Sequence, residues 1–189
     1  MQFLGLDVST SCIGWCVLGP EGRLTALGYI PLSKIEGLYQ KAQKASDELS
    51  TLHLRYDITE VFIEENLQAF RPGLSSAKTL LTLARFNGIV GYIAHQQFGF
   101  EPKYINVNAA RKSVGLKIVR KSKGGAPTKE QVLEWVSGKL SDNDNHYQWP
   151  TKILKSGPRK GQEILEPGCY DAADAYVISS AGLLTLSES

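Results

Sequence analysis

The run ITEVFIEE, residues 58–65, constrains the fold of this 189-residue chain more than any other segment. It is short and rich in β-branched and aromatic residues, so it reads as a strand. Its apolar residues Val61, Phe62 and Ile63 are consecutive rather than alternating, and such a strand needs cover on both faces. The flanking sequence supplies helices to provide it. Leu38, Ala42, Ala45, Leu49 and Leu52 recur at helical spacing within 34–54. After Arg71-Pro72-Gly73, residues 75–97 read as a long helix with an apolar, small-residue face of Ala77, Leu80, Leu81, Ala84, Gly88 and Gly91. Upstream, QFLGLDV, CIGWCVL and RLTALGYI read as three strands, the last two joined by the turn GPEG, which makes an antiparallel meander. PKYINVN is a further strand. Thr128 is placed to cap a helix running KEQVLEWVSGKL, with Glu130 suiting the dipole of its first turn. The order β-β-β-α-β-α-β-α-α predicts an α/β fold: a mixed five-stranded sheet, meander first and parallel strands after, with helices on both faces. No repeat or linker divides the chain, so residues 1–189 read as a single domain. The polar, turn-rich residues 141–168 read as an insertion, with SGPRKG at the tip of a basic hairpin.

Composition narrows the setting. With 42% hydrophobic and 21% charged residues the chain has the make-up of a globular protein. No apolar run reaches the roughly 20 residues of a membrane helix. The start MQFLGLDV shows no secretion signal, and three cysteines are an odd, sparse set, so an intracellular, cytoplasmic setting is expected. Net charge is only +2, but residues 103–129 hold Lys103, Arg111, Lys112, Lys117, Arg120, Lys121, Lys123 and Lys129 with no acid among them. A second basic run, KILKSGPRKG, contains Arg159 and Lys160. Either run alone is compatible with solvated surface; two on one small domain favour a polyanion.

Acidic residues sit where a core should be. Asp7 lies between Leu6 and Val8 on a strand expected at the sheet centre, and Glu64 ends the other apolar strand. Burying such charges is costly unless they are paired or liganded. In the last helix, YDAADAYVI places Asp171 and Asp174 three residues apart, on one face, where like charges repel. Four carboxylates brought together raise one another's pKa unless cations neutralise them. Hard oxygen ligands without a His/Cys cluster suit Mg²⁺ or Mn²⁺. Two such ions about 4 Å apart can clamp a phosphodiester.

LGLDVSTSCIGW, FIEEN and DAADA, in this order on strand, strand and helix, resemble the motifs of the RuvC-type Holliday junction resolvases of the RNase H-like superfamily. The resemblance implies a Mg²⁺-dependent endodeoxyribonuclease that resolves four-way junctions by paired symmetric nicks and works as a homodimer on branched DNA. It implies that Asp7, Glu64, Asp171 and Asp174 form the metal-binding catalytic set, two ions being expected. Glu65 would point to the opposite face of its strand from Glu64, and the Ile-Glu pattern of the family selects Glu64. NAARKSVGL and PTKEQV resemble the lysine-bearing segments, which makes Lys112 and Lys129 candidates beside the scissile phosphate. Arg111, Lys117, Arg120, Lys121, Lys123, Arg159 and Lys160 are candidate DNA contacts. The long helix, with Leu81, Phe86 and Gly88, is a candidate dimer face, with core packing as the competing reading.

The chain departs from the pattern in two places. Val8-Ser9-Thr10 stands where the family carries Pro-Gly, and the segment after Glu64 is longer. Phe70 in that segment is the candidate to stack on a base, a core position being the alternative. A phage-type or otherwise divergent member fits these differences. Other signals carry less. DNDNH lacks the Gly and Glu of a calcium loop, and His53, His95 and His146 have no ligand spacing. Two rivals share the fold. One is an RNase H-like nuclease for flaps, other branched DNA or RNA–DNA hybrids. The other is an ATP-binding actin/hexokinase-like module, since LDVSTSCIGW also resembles the phosphate loop of those proteins.

Overall fold

A computed structural model describes residues 1–65, 76–142 and 147–187, so Phe70 and His146 lie outside the described residues. Strands β1 (Gln2–Val8), β2 (Cys12–Leu18) and β3 (Leu24–Pro31) form the expected meander. Helix α1 (Leu38–Arg55) leads into β4 (Ile58–Glu64), and α2 (Ala77–Phe98) into β5 (Lys103–Ile105). The sheet order is β3-β2-β1-β4-β5, antiparallel across β1–β2–β3 and parallel across β1–β4–β5. Helices α3 (Val107–Ser113), α4 (Thr128–Asp142) and α5 (Gly168–Ser187) follow, with a hairpin of β6 (Thr151–Ile153) and β7 (Glu163–Leu165) before α5. The mixed sheet is covered on both faces, as the unbroken apolar run of β4 requires.

Strand alternation sorts side chains into two cores. Leu4, Leu6 and Val8 of β1, Ile13 and Val17 of β2, and Val61 and Ile63 of β4 pack with Ala42, Ala45 and Leu49 of α1 and Phe86 and Val90 of α2. Phe3, Cys16, Leu18 and Phe62 face the other way and pack with α4 and α5. On that second face α5 sits unusually close to the sheet. A Cβ on Gly5 would lie 2.5 Å from the Ala175 carbonyl oxygen, and one on Gly14 would overlap the Asp171 carbonyl. Ser179, fully buried, donates its hydroxyl to the Phe3 carbonyl at 3.1 Å and ties the helix to β1.

Three local expectations need correction. The buried face of α2 consists of Phe86, Asn87, Val90, Gly91, Ala94 and Phe98, while Ala77, Leu81, Ala84 and Gly88 point outward. Phe86, Val90 and Phe98, which have the most area to bury, select the inner stripe, and Leu81 is left outside with Ala77, Ala84 and Gly88. Phe86 is therefore core and not surface. Thr128 lies inside the first turn of α4 and does not cap it, since Pro127 O already accepts from the Glu130 and Gln131 amides. Helix α3 was not anticipated: its seven residues are too few for periodicity to register, although Asn106 caps it by accepting from the Asn108 and Ala109 amides. The three cysteines are free and buried. Among the described residues no helix is long and apolar enough to cross a membrane.

The close seating of α5 generates a test. Gly14→Ala should destabilise the protein by about 3 kcal/mol because backbone must move to admit the methyl group. Gly138→Ala, on an exposed position of α4 with open space around it, should stabilise it by about 0.5–1 kcal/mol. Urea denaturation midpoints of the two variants should move in opposite directions.

Candidate active site

Register and period place the acids. Asp7 is opposite Gly14 in the β1–β2 pair, and its neighbour Leu6 is opposite Ile63 in the β1–β4 pair. Asp7 shares the parity of Phe3 and Gly5, and Glu64 shares that of Phe62, so both carboxylates project from the face that α5 covers. Asp171 and Asp174 occupy the first turns of α5. The absence of a side chain at Gly14 allows that end of the helix to reach the sheet. Together the four acids line one cleft of about 450 Å³ with Ser9, Ser11, Arg111, Thr128 and Lys129. Lys129 comes from the start of α4 and Arg111 from the last turn of α3.

The cleft is electrostatically strained. Asp7 is pushed well above the usual carboxylate range, first by burial, then by Glu64, Asp174 and Asp171. Burial, followed by the Asp174 charge, raises Glu64 from its ordinary 4.5 to about 7. Asp174, 6% exposed, is also raised by burial, although Arg111 pulls it down through charge and a hydrogen bond. Two cations answer part of this charge. Lys129 Nζ donates to Asp171 Oδ1 at 2.9 Å, and Arg111 Nη2 donates to Asp174 Oδ1 at 3.1 Å. Burial works against the Lys129 charge, but its bond to Asp171 and the neighbouring acids hold its pKa above the ordinary value.

Asp7 and Glu64 receive no side-chain hydrogen bond or ion pair among the described residues. Partly buried carboxylates without donors, beside two more acids, form a hard-oxygen set that fits Mg²⁺ or Mn²⁺. Among the described residues no three His, Cys, Asp or Glu side chains are drawn in around one point as they stand, and two of the four acids are held by Arg111 and Lys129. The Cys12 thiol beside Asp171 is pushed far up by burial and then by that acid, so it is no nucleophile.

Other residues support the acids. Where the resembling family has Pro-Gly after the first aspartate, Ser9 closes the turn: its Oγ donates to Cys12 O at 2.8 Å and accepts from the Cys12 amide at 3.1 Å. Asn87, 2% exposed on α2, donates its amide to the Glu64 carbonyl at 3.0 Å and holds the end of β4. Sequence reading missed Asn87 because a lone amide in a helix carries no pattern. It did not place Ser9 and Ser11 at the cleft, although they adjoin Asp7.

The remaining candidates are dispersed. Lys112, one position beyond Arg111, is exposed and does not line the cleft. Lys117, Arg120, Lys121 and Lys123 are exposed on the loop between α3 and α4, where Lys121–Lys123 form a single 3-10 turn. Gln131 pins this loop by accepting from the Val119 amide and donating to the Val119 and Ala126 carbonyls. Arg159 and Lys160 are exposed near the tip of the β6–β7 hairpin.

A carboxyl whose pKa is higher in the folded than in the unfolded chain favours folding at low pH, and that contribution is lost as pH rises through the folded value. For Glu64 the window runs from its ordinary 4.5 up to about 7. Metal-free protein should therefore lose stability over that range. Glu64→Gln should flatten the profile and be more stable at pH 8 by on the order of 3 kcal/mol. Thermal melting in chelator from pH 5 to 8 measures both.

No protein-family model matches the chain. In sequence it is similar to the crossover junction endodeoxyribonuclease RuvC of Aliarcobacter butzleri, 29% identical over 143 residues that cover 75% of this chain and 84% of that protein. The RuvC of Sulfurovum sp. is 26% identical over 134 residues, 70% of this chain and 76% of that protein. In structure the chain resembles Thermus thermophilus RuvC in complex with Holliday junction substrate, with a TM-score of 0.64 at 18% identity, covering 99% of this chain and 96% of that one. With the acid-bearing strands and helix in the same order as the motifs that suggested it, the chain has the fold of RuvC and is similar to RuvC proteins over most of its sequence.

Proposed function

We propose that the chain is a divalent-metal-dependent, structure-selective endodeoxyribonuclease that resolves four-way DNA junctions by paired nicks. The observation that carries this reading is the convergence of Asp7, Glu64, Asp171 and Asp174, from two strands and a helix, in one cleft bordered by Lys129 and Arg111. Sequence similarity to RuvC crossover junction endodeoxyribonucleases supports it.

When bound by the four carboxylates, Mg²⁺ or Mn²⁺ would supply Lewis acidity at the phosphoryl group and an activated water. The chain's own residues do the rest. Asp7 and Glu64, fixed on the rigid sheet, orient the site, and Asn87 keeps the end of β4 from shifting. Lys129 places positive charge where the phosphate gains negative charge in the transition state. The exposed Lys117, Arg120, Lys121 and Lys123, with Lys112 on the adjoining helix, form a track for the DNA backbone held in shape by Gln131. Arg159 and Lys160 extend that charge toward a second arm.

Paired nicks require two sites related by a two-fold axis, so the working unit would be a homodimer. The outer face of α2 suits this role. It presents Leu81, 69% exposed, and Tyr92, 64% exposed, with Ala84 and Gly88 between them. Leu81→Glu should shift the protein from dimer to monomer in light scattering. A dimer unchanged at the same concentration would place the interface elsewhere.

End-labelled four-way junction, linear duplex, 5′ flap and RNA–DNA hybrid, each with Mg²⁺, test the function. Symmetric nicks confined to the junction are expected. Asp7→Asn should slow them more than about a hundredfold, beyond the loss usual for a residue that merely supports a ligand, while junction binding persists. Cutting of flap or hybrid instead would keep the metal site and change the substrate.

A further inference from the structure

Arg111 sits differently from the other basic residues. Its side chain is 19% exposed, and Nη2 is committed to Asp174 at 3.1 Å. Its charge also acts on Glu64. Yet Nε is buried with no hydrogen-bond acceptor among the described residues. A guanidinium offers five donors in a fixed fork matched to paired oxygens, and a buried donor left open is unfavourable. The arrangement therefore satisfies only part of the fork, on a wall of the cleft where a phosphate would lie. The carboxylate that Arg111 holds is also one of four hard-oxygen donors suited to a divalent cation. A guanidinium and a divalent cation on the same carboxylate repel at short range in a site that shields little.

We infer that Arg111 is a displaceable counter-cation, which neutralises Asp174 in the metal-free protein and turns its fork onto an oxygen of the substrate phosphate when a divalent cation takes that carboxylate. This rests on the proposed function for the identity of the phosphate, but not for the competition with metal. Lys129 differs in kind, because its half-exposed ammonium can withdraw into water without leaving a buried donor open. Two consequences follow from the exchange. Arg111 weakens metal binding to the DNA-free protein, and a bound phosphodiester, by engaging Arg111, strengthens it. Metal and DNA then bind with positive coupling that is reciprocal.

The test uses Mn²⁺ binding to the full chain by calorimetry, with and without a phosphorothioate-substituted four-way junction, beside single-turnover cleavage. In wild type the junction should tighten Mn²⁺ binding about 5-fold or more. Arg111→Met, which keeps the apolar stem and removes the fork, should bind Mn²⁺ about 5-fold tighter without DNA and lose the coupling. It should also cleave about 100-fold slower. Weaker Mn²⁺ binding by a folded Arg111→Met protein would overturn the inference and make Arg111 a support for Asp174. Absence of coupling in wild type would overturn it with no variant needed, should the substitution prevent folding. Tighter Mn²⁺ binding in the variant, with none of the four substrates cut by wild type, would uphold the competition and remove the junction-cutting reading.

Discussion

The seating of α5 on β1 and β2 governs this molecule. Gly5 and Gly14 give the sheet a bare strip of backbone, and α5 lies on it with carbonyl groups where side chains would otherwise be. The contact explains why the helix is alanine-rich and buried on nearly all sides, since larger residues would lift it from the sheet. It also sets the height of Asp171 and Asp174 above Asp7 and Glu64. A helix held further out would leave four isolated acids instead of one cleft.

Closeness brings electrostatic frustration. Burial and mutual repulsion raise Asp7, Glu64 and Asp174 together, and among the described residues two cations pair with the cluster in return. Lys129 and Arg111 arrive from separate helices, α4 and α3, that pack beside α5. Among the described residues the site is thus part-neutralised, a condition consistent with the divalent cation proposed above. A fully paired cluster would be more stable and would have no use for a divalent ion.

Away from the cleft, basic groups are displayed and not buried. The loop between α3 and α4 carries its cations outward while Gln131 fixes its backbone from beneath. A charged track held in one shape loses less conformational freedom on meeting a polyanion than a mobile one would. The modest net charge of +2 hides this pattern, because the acids are concentrated on other elements and in the cleft itself.

The elements were legible wherever a local rule had enough residues to act. The apolar run of β4 demanded two covering layers, and the meander and long helices followed from period and turn residues. The three acidic motifs singled out, from their positions along the chain, four carboxylates that the fold brings to one cleft. Short α3 escaped, and the faces of α2 were misassigned, since apolar content alone cannot say which stripe meets the sheet. Sequence alone thus determined the fold class and the order of the sheet strands and long helices, and it pointed to the four carboxylates that line one cleft, because these readings follow from periodicity and from residue types that tolerate burial poorly. Only the tertiary structure decided which cations answer them. That Arg111 and not Lys112 enters the cleft, and that Asn87 holds Glu64, depends on how three helices rotate against one sheet, which is settled by packing between residues far apart in the chain.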